Sequence, residues 1–198
     1  MMYMPAVLAL VGLIYMTVKR SWVMKQDAGD GKMKEISNHI YEGALAFLNA
    51  EYRLLSIFVI IVSVLLFIVS TIVDTTHWMI VIAFIFGAVF SAFAGNIGMK
   101  IATKTNVRTT QAARTSLPEA LKISFGGGTV MGLGVAGLAV LGLTAFFIFF
   151  YNYFTGDDMI IVLEALAGFS LGAESIALFA RVGGGIYTKA ADVGADLV

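Results

Sequence analysis

The chain has 198 residues, of which 59% are hydrophobic and 13% are charged, and its formal net charge is zero. A soluble domain of this length carries about twice that charged fraction, so the composition excludes an ordinary soluble protein. The absence of cysteine excludes a disulfide framework, a thiolate metal site and a cysteine nucleophile. The two histidines, His39 and His77, are far apart in sequence, so we expect no histidine-rich metal site.

Apolar residues collect in five blocks, and about 20 apolar residues suffice to cross a bilayer. The first block, residues 3–18, has no basic segment before it, which distinguishes it from a signal peptide and indicates a retained helix. The fourth block is too long for one straight crossing, so we expect it to tilt or to continue beyond the hydrocarbon. The pattern predicts an all-α polytopic membrane protein, with residues 1–198 forming a single membrane domain. The later predicted spans are residues 55–73, 78–97, 123–154 and 159–180.

The basic residues are distributed unevenly between these spans. All 13 Lys and Arg residues lie in the segments that follow the first, third and fifth spans. The loops at residues 74–77 and 155–158 contain none. The positive-inside rule therefore places the three basic segments in the cytoplasm and the N-terminus outside. We expect a multi-pass protein of the cell's inner (plasma) membrane.

Two further patterns concern the cytoplasmic segments and the fourth span. Residues 27–52 carry apolar side chains at helical spacing and predict an amphipathic helix, while Pro118 predicts a helix break just before it. Gly128 and Gly132 stand in GxxxG spacing, which favours close helix packing. A phosphate-binding loop at residues 126–128 is the weaker interpretation, because no GxxxxGK[ST] pattern is present.

Charged residues recur along the end of the chain. If the fifth helix continues through residues 181–198, four charged side chains fall on one helix face, within roughly 60° around the helix axis. A fifth lies close to that face. Two aspartates at i and i+4 can share a hard cation such as Mg²⁺, and a lysine supplies a point charge for phosphate oxygens. The pattern is typical of a Mg²⁺-phosphate site, or equally of a solvated helix end with ion pairs. We call these residues the charged stripe: Glu174, Arg181, Asp192 and Asp196, with Lys189 beside them.

Glu174 lies about seven residues inside the predicted cytoplasmic boundary, where a carboxylate is costly and is by default a functional candidate. We interpret it as a candidate coupling-ion site. The alternative is a neutral carboxyl, or one that pairs with Arg181 two turns away. Glu164, near the opposite boundary, is a weaker candidate because it can face water.

Several runs of the sequence are similar to one family. Residues 181–198 read RVGGGIYTKAADVGADLV, which resembles the signature of membrane-bound inorganic pyrophosphatases over 18 residues without a gap. The runs WVMKQDAG at 22–29, IYEGALAFL at 40–48 and SFGGGTVMGL at 124–133 also resemble the family in order and spacing. The resemblance covers essentially the whole chain and identifies it as an N-terminal fragment of a family member.

The resemblance implies sixteen membrane helices per full-length chain, a homodimer, and hydrolysis of Mg²⁺-pyrophosphate at a cytoplasmic site coupled to pumping of H⁺ or Na⁺. By match to the motif, Lys189 would contact pyrophosphate, and Asp192 and Asp196 would bind it through Mg²⁺. Arg181 would lie between the hydrolytic site and the ion gate. Glu174 stands where many members carry Ser or Ala, and would be this protein's version of the gate glutamate. K⁺ or Na⁺ is a candidate activator, and no nucleic-acid partner is expected.

The chain stops at Val198, inside the first substrate motif, so we expect the residues that hold the nucleophilic water, the gate partners and the dimer contacts to lie beyond it. Residues that select H⁺ or Na⁺ and set K⁺ dependence are also expected there. The fragment alone is expected to be inactive.

A CDP-alcohol phosphotransferase also uses Asp-x-x-x-Asp, but its upstream Asp-Gly-x-x-Ala-Arg is absent here. The alternative is a secondary transporter or channel, with Glu174 and Arg181 on an ion path.

Overall fold

The computed structural model describes residues 2–73, 76–154 and 159–197, which form five α-helices and no strand. All five helices are long and apolar enough to cross a membrane, by length and composition. The all-α polytopic fold predicted from the sequence is therefore confirmed. The helices are α1 (Met4–Met24), α2 (Gly31–Ile72), α3 (Met79–Ala113), α4 (Leu117–Tyr153) and α5 (Met159–Asp196).

The helices extend well beyond the apolar blocks. The amphipathic segment and the second apolar block form one helix, α2, of 42 residues, which is ~63 Å long at the usual helical rise. All but the last residue of the long fourth block lies within α4, which runs unbroken for 37 residues. Of the loops predicted at residues 74–77 and 155–158, residues 76 and 77 lie between α2 and α3, and residues 74, 75 and 155–158 lie outside the described residues.

The amphipathic helix begins later than predicted. The carboxylate of Asp27 accepts a hydrogen bond from the Gly29 N–H at 3.0 Å, and that of Asp30 accepts one from the Met33 N–H at 2.9 Å. Gly29 has a φ of 80°, which glycine adopts without steric cost. Asp30 thereby caps α2 at Gly31, four residues after the predicted start at residue 27.

The end of α3 supports this turn. Gln111 donates a hydrogen bond to Asp27 at 3.0 Å, and Arg114 lies 3.2 Å from a carboxylate oxygen of Asp30. The Met33 N–H and, secondly, Arg114 lower the pKa of the Asp30 carboxyl. Because α3 ends before Arg114 and α4 begins just ahead of Pro118, the predicted break is confirmed.

The helices contribute to two compact units. The first comprises Met1–Ala46 and Phe93–Thr144, which contain α1 and the adjoining parts of α2, α3 and α4. The second comprises Phe47–Ala92 and Ala145–Val198, which contain the other parts of α2, α3 and α4 and the whole of α5. The charged stripe's helix, α5, therefore lies entirely within the second unit.

In the first unit, α4 packs through glycines other than the predicted pair. A Cβ on Gly126 would lie 2.9 Å from the Trp22 ring, and one on Gly127 would lie 2.7 Å from Thr105. By contrast, a Cβ on Gly128 or Gly132 would have no atom within 4 Å. Gly126 and Gly127 are therefore packing positions, and residues 126–128 are helical and do not form a phosphate-binding loop.

In the second unit, α3 and α5 meet backbone to backbone. A Cβ on Gly172 would overlap the carbonyl of Phe84, and one on Gly87 would overlap the carbonyl of Phe169. Small residues allow such close approach between membrane helices. This contact fixes which face of α5 is turned inward.

We expect Gly172→Ala to destabilise the chain by about 1–3 kcal/mol, because the new methyl group meets a carbonyl that cannot rotate away. The melting temperature of the purified 198-residue chain in detergent measures the effect. Gly184→Ala is the matched control, since that position on α5 has open space around it. Equal melting temperatures for the two variants would contradict the contact.

Candidate functional site

The charged stripe lies on a continuous helix. α5 runs without interruption from Met159 to Asp196, as the stripe requires. At about 100° per residue, the buried face of this helix lies opposite the stripe. The stripe's five side chains are exposed, so no described helix covers them. The buried residues on the other face are Val162, Ala165, Gly168, Phe169, Gly172 and Ile176.

The stripe contains one ion pair among the described residues. The Nζ of Lys189 lies 3.0 Å from a carboxylate oxygen of Asp192, and the two side chains are 71% and 66% exposed. This is the i, i+3 pairing that a solvated helix end predicts. An exposed pair of this kind is weak, because water and salt screen it. It can therefore open easily when a phosphate group or a cation competes for either partner.

Asp192 and Asp196 lie one helical turn apart on this exposed face. Mg²⁺ in proteins is commonly held by one or two carboxylates, with substrate phosphates and water completing the shell. The two aspartates fit that share of the shell. The described residues contain no group of three or more His, Asp or Glu side chains that could hold a metal ion unaided.

The two glutamates of α5 differ in their surroundings. Glu174 is exposed on the stripe, ~10 Å along the helix axis from Arg181. Glu164 is half-buried and accepts a hydrogen bond from the His77 N–H at 3.4 Å, just before α3 begins. Glu164 thus has a structural role at the helix start, whereas Glu174 has no hydrogen-bond partner among the described residues.

Comparison with known proteins gives the family. A family model described as "Inorganic H+ pyrophosphatase" matches residues 10–198. The chain belongs to this family.

The chain is 50% identical, over 95% of its length, to a Clostridium tetani protein provisionally named a K⁺-stimulated pyrophosphate-energized sodium pump. It is 44% identical, over 97% of its length, to a K⁺-insensitive pyrophosphate-energized proton pump of Moorella thermoacetica. It is also 39% identical, over its full length, to a K⁺-stimulated sodium pump of Thermotoga maritima that is likewise pyrophosphate-energized. The chain spans 26%, 26% and 29% of these relatives, respectively.

The structure adds Glu51 to the neighbourhood of the pyrophosphatase signature. A Cβ on Gly183 would lie 2.6 Å from the Glu51 Oε1 atom and 3.0 Å from the Phe47 ring, so the missing side chain makes room for this carboxyl. The Oε1 atom is buried and has no hydrogen-bond partner among the described residues. Burial raises the pKa of the Glu51 carboxyl, which lies before the apolar block at residues 55–73.

A ring contact lies beside this carboxyl. The rings of Phe47 and Tyr187 are 5.3 Å apart between centroids, and these residues are one turn from Glu51 and Gly183, respectively. α2 and α5 therefore pack together at the level of the signature, on the side of α5 opposite the stripe. Glu51 was not predicted as a site residue, although it continues the apolar face that contains Ala44 and Phe47.

Proposed function

We propose that this chain is part of an ion pump that couples hydrolysis of Mg²⁺-pyrophosphate, at the cytoplasmic side of the membrane, to transport of H⁺ out of the cytoplasm. Na⁺ is the alternative ion, since the relatives include sodium pumps and proton pumps by name. The observation that carries the proposal is the exposed charged stripe on α5, in a chain of this family. Other parts of the full-length protein supply the remaining ligands, so the isolated chain is inactive.

We assign the substrate contacts to the cytoplasmic end of the stripe. Lys189 contacts the phosphate oxygens as a point charge, and Asp192 and Asp196 hold Mg²⁺. Mg²⁺ supplies polarisation of the phosphoryl oxygens when it is bound. The weakness of the exposed Lys189–Asp192 pair supports this assignment, because little has to be broken before substrate binds.

We assign ion coupling to Arg181 and Glu174, deeper along the same face. Lys189 and Glu174 are 15 residues apart on one helix, or ~22 Å along its axis. Because α5 is unbroken, a displacement driven by pyrophosphate at one end reaches the other end. Arg181 lies between them, and its movement relative to Glu174 changes the affinity of that carboxyl for an ion.

The wider setting belongs to the same proposal. We place residues 1–198 in one membrane domain of a multi-pass protein in the inner (plasma) membrane, with the N-terminus outside. The full-length protein acts as a homodimer. K⁺ or Na⁺ is a candidate activator, and two relatives are named as K⁺-stimulated pumps.

The orientation predicts where a single cysteine can be labelled. Because the chain has no cysteine, Thr76→Cys provides one thiol in the loop at residues 74–77. It is expected to react with an impermeant thiol reagent added to intact cells that express the chain. Thr115→Cys, in the connection between α3 and α4, is the matched control and should react only after lysis. The opposite pattern would reverse the assigned orientation.

The activity is tested with membranes that contain the full-length protein. We expect pyrophosphate hydrolysis that requires Mg²⁺, measured as phosphate release with and without added K⁺ and Na⁺. A secondary transporter would instead move its ion down an imposed gradient without consuming pyrophosphate. Folded full-length protein that shows gradient-driven transport and no hydrolysis would support that alternative.

A further inference from the structure

Two lysines converge on one tryptophan in the first unit. The Nζ of Lys19 lies 5.2 Å from the centroid of the Trp22 ring, and the Nζ of Lys122 lies 5.7 Å from it. Lys19 also lies 5.8 Å from the centroid of the Tyr15 ring. These distances are within the range of cation–π attraction. Both ammonium groups therefore lie against one indole ring, and we call Lys19, Trp22 and Lys122 the Trp22 site.

The Trp22 site is held in place by helix packing. Trp22 and Lys19 belong to α1, whereas Lys122 belongs to α4. Gly126 lies one turn after Lys122, and the Trp22 ring packs against it. A Cβ on Gly126 would lie 2.9 Å from that ring. The close approach of α1 and α4 therefore brings the second lysine to the indole.

The site lies at the boundary of two predicted apolar spans, beside exposed apolar side chains. The predicted apolar spans end at residue 18 on α1 and begin at residue 123 on α4, so both lysines stand immediately outside an apolar block. Their apolar neighbours Val18 and Phe125 are 58% and 71% exposed. Exposed apolar side chains beside cations and an indole are typical of the interface between the hydrocarbon and the lipid headgroups.

The positive charge of the site is not balanced within the chain. Neither lysine forms an ion pair with a carboxylate of the described residues. Arg20, which follows Lys19 directly, is a further exposed basic residue on α1. A cationic surface between membrane helices on the cytoplasmic side complements an anionic lipid headgroup.

We propose that the Trp22 site binds the phosphate-bearing headgroup of an anionic phospholipid from the cytoplasmic leaflet. Lys19 and Lys122 contact the headgroup phosphate, and Trp22 holds both ammonium groups in position while its indole lies at headgroup depth. The site uses no residue of the charged stripe and goes beyond pyrophosphate hydrolysis and ion transport. The bound lipid anchors α1 against α4.

The test uses the full-length protein purified in detergent and titrated with phosphatidylglycerol or phosphatidylcholine, with bound lipid measured by native mass spectrometry. The double variant K19Q/K122Q is expected to bind phosphatidylglycerol roughly tenfold more weakly, because each basic residue contributes to anionic-lipid affinity. K32Q/K34Q removes the same charge from exposed positions on α2 and is expected to leave the affinity within about twofold. K19R/K122R is expected to restore binding.

The outcomes separate the possible ligands. Loss of phosphatidylglycerol binding in K19Q/K122Q alone, with little phosphatidylcholine binding in any variant, supports the site. Equal loss in K32Q/K34Q overturns it in favour of general charge attraction. Displacement of the lipid by about 10 mM inorganic phosphate overturns it in favour of a free-anion site. K19Q/K122Q is expected to hydrolyse pyrophosphate at the parent's rate whichever of these results is obtained. A failure of the lipid proposal can therefore be told apart from a failure of the pump proposal.

Discussion

Asp192→Asn and Asp196→Asn in the full-length protein are each expected to lower pyrophosphate hydrolysis by about 100-fold or more. Each change removes the negative charge of a proposed Mg²⁺ ligand, and a metal ion at a phosphoryl group contributes several kcal/mol to catalysis. The exposed position of both carboxylates on α5 means that the loss should not come from unfolding. Lys189→Ala should also lower the hydrolysis rate, mainly through weaker pyrophosphate binding.

The measurement is phosphate release by membranes with matched amounts of folded protein, over a range of Mg²⁺ concentrations. Excess Mg²⁺ should rescue part of the activity of the aspartate variants but not that of Lys189→Ala. Glu35→Gln, an exposed carboxylate on α2, serves as the control and should behave like the parent. Near-normal hydrolysis in all three site variants would refute the assignment of the stripe.

Glu174→Ala is expected to suppress ion transport, or to change the preferred ion, much more than it lowers pyrophosphate binding. A carboxyl inside an apolar span can bind and release an ion, and alanine cannot. Glu174→Gln keeps the size and the hydrogen-bonding capacity of the side chain but cannot exchange a proton. Both variants should therefore lose coupling if Glu174 holds the transported ion.

The informative quantity is the ratio of ions transported to pyrophosphate hydrolysed, measured in the same vesicles. Ser175→Ala is the control on the next residue, because the Ser175 hydroxyl donates to the Leu171 carbonyl of its own helix. A merely structural role would lower hydrolysis and transport together, leaving the ratio unchanged. Parent-like transport by Glu174→Ala and Glu174→Gln would remove Glu174 from the coupling mechanism.

The helical fold follows from the sequence because bilayer thickness and hydrogen bonding allow few other structures for such apolar blocks. The stripe could also be predicted, since it depends only on the period of one helix, α5. The glycines that pack against a neighbouring helix could not be predicted. Gly126 and Gly128 belong to the same run, and only the rotation of α4 against Trp22 decides which of them is buried.

Two local features escaped prediction for a similar reason. The turn before α2 replaces a predicted helical turn because Asp27 and Asp30 bond to backbone N–H groups, a competition that apolar periodicity does not register. In the sequence, Glu51 fits the polar end of the predicted amphipathic helix. Its burial depends on Gly183, 132 residues further along the chain. Contacts of such long range are set by helix packing, which local sequence patterns do not contain.

The central claim is that the full-length protein uses pyrophosphate to move an ion out of the cytoplasm. It is tested most directly by ion uptake into inverted membrane vesicles, energised with Mg²⁺-pyrophosphate in the presence and absence of Na⁺ and K⁺. The account predicts acidification of the vesicle lumen, or Na⁺ accumulation if Na⁺ is the transported ion, and predicts that Asp192→Asn abolishes it. The claim would be contradicted if vesicles that can hold an imposed ion gradient hydrolysed pyrophosphate but took up neither H⁺ nor Na⁺.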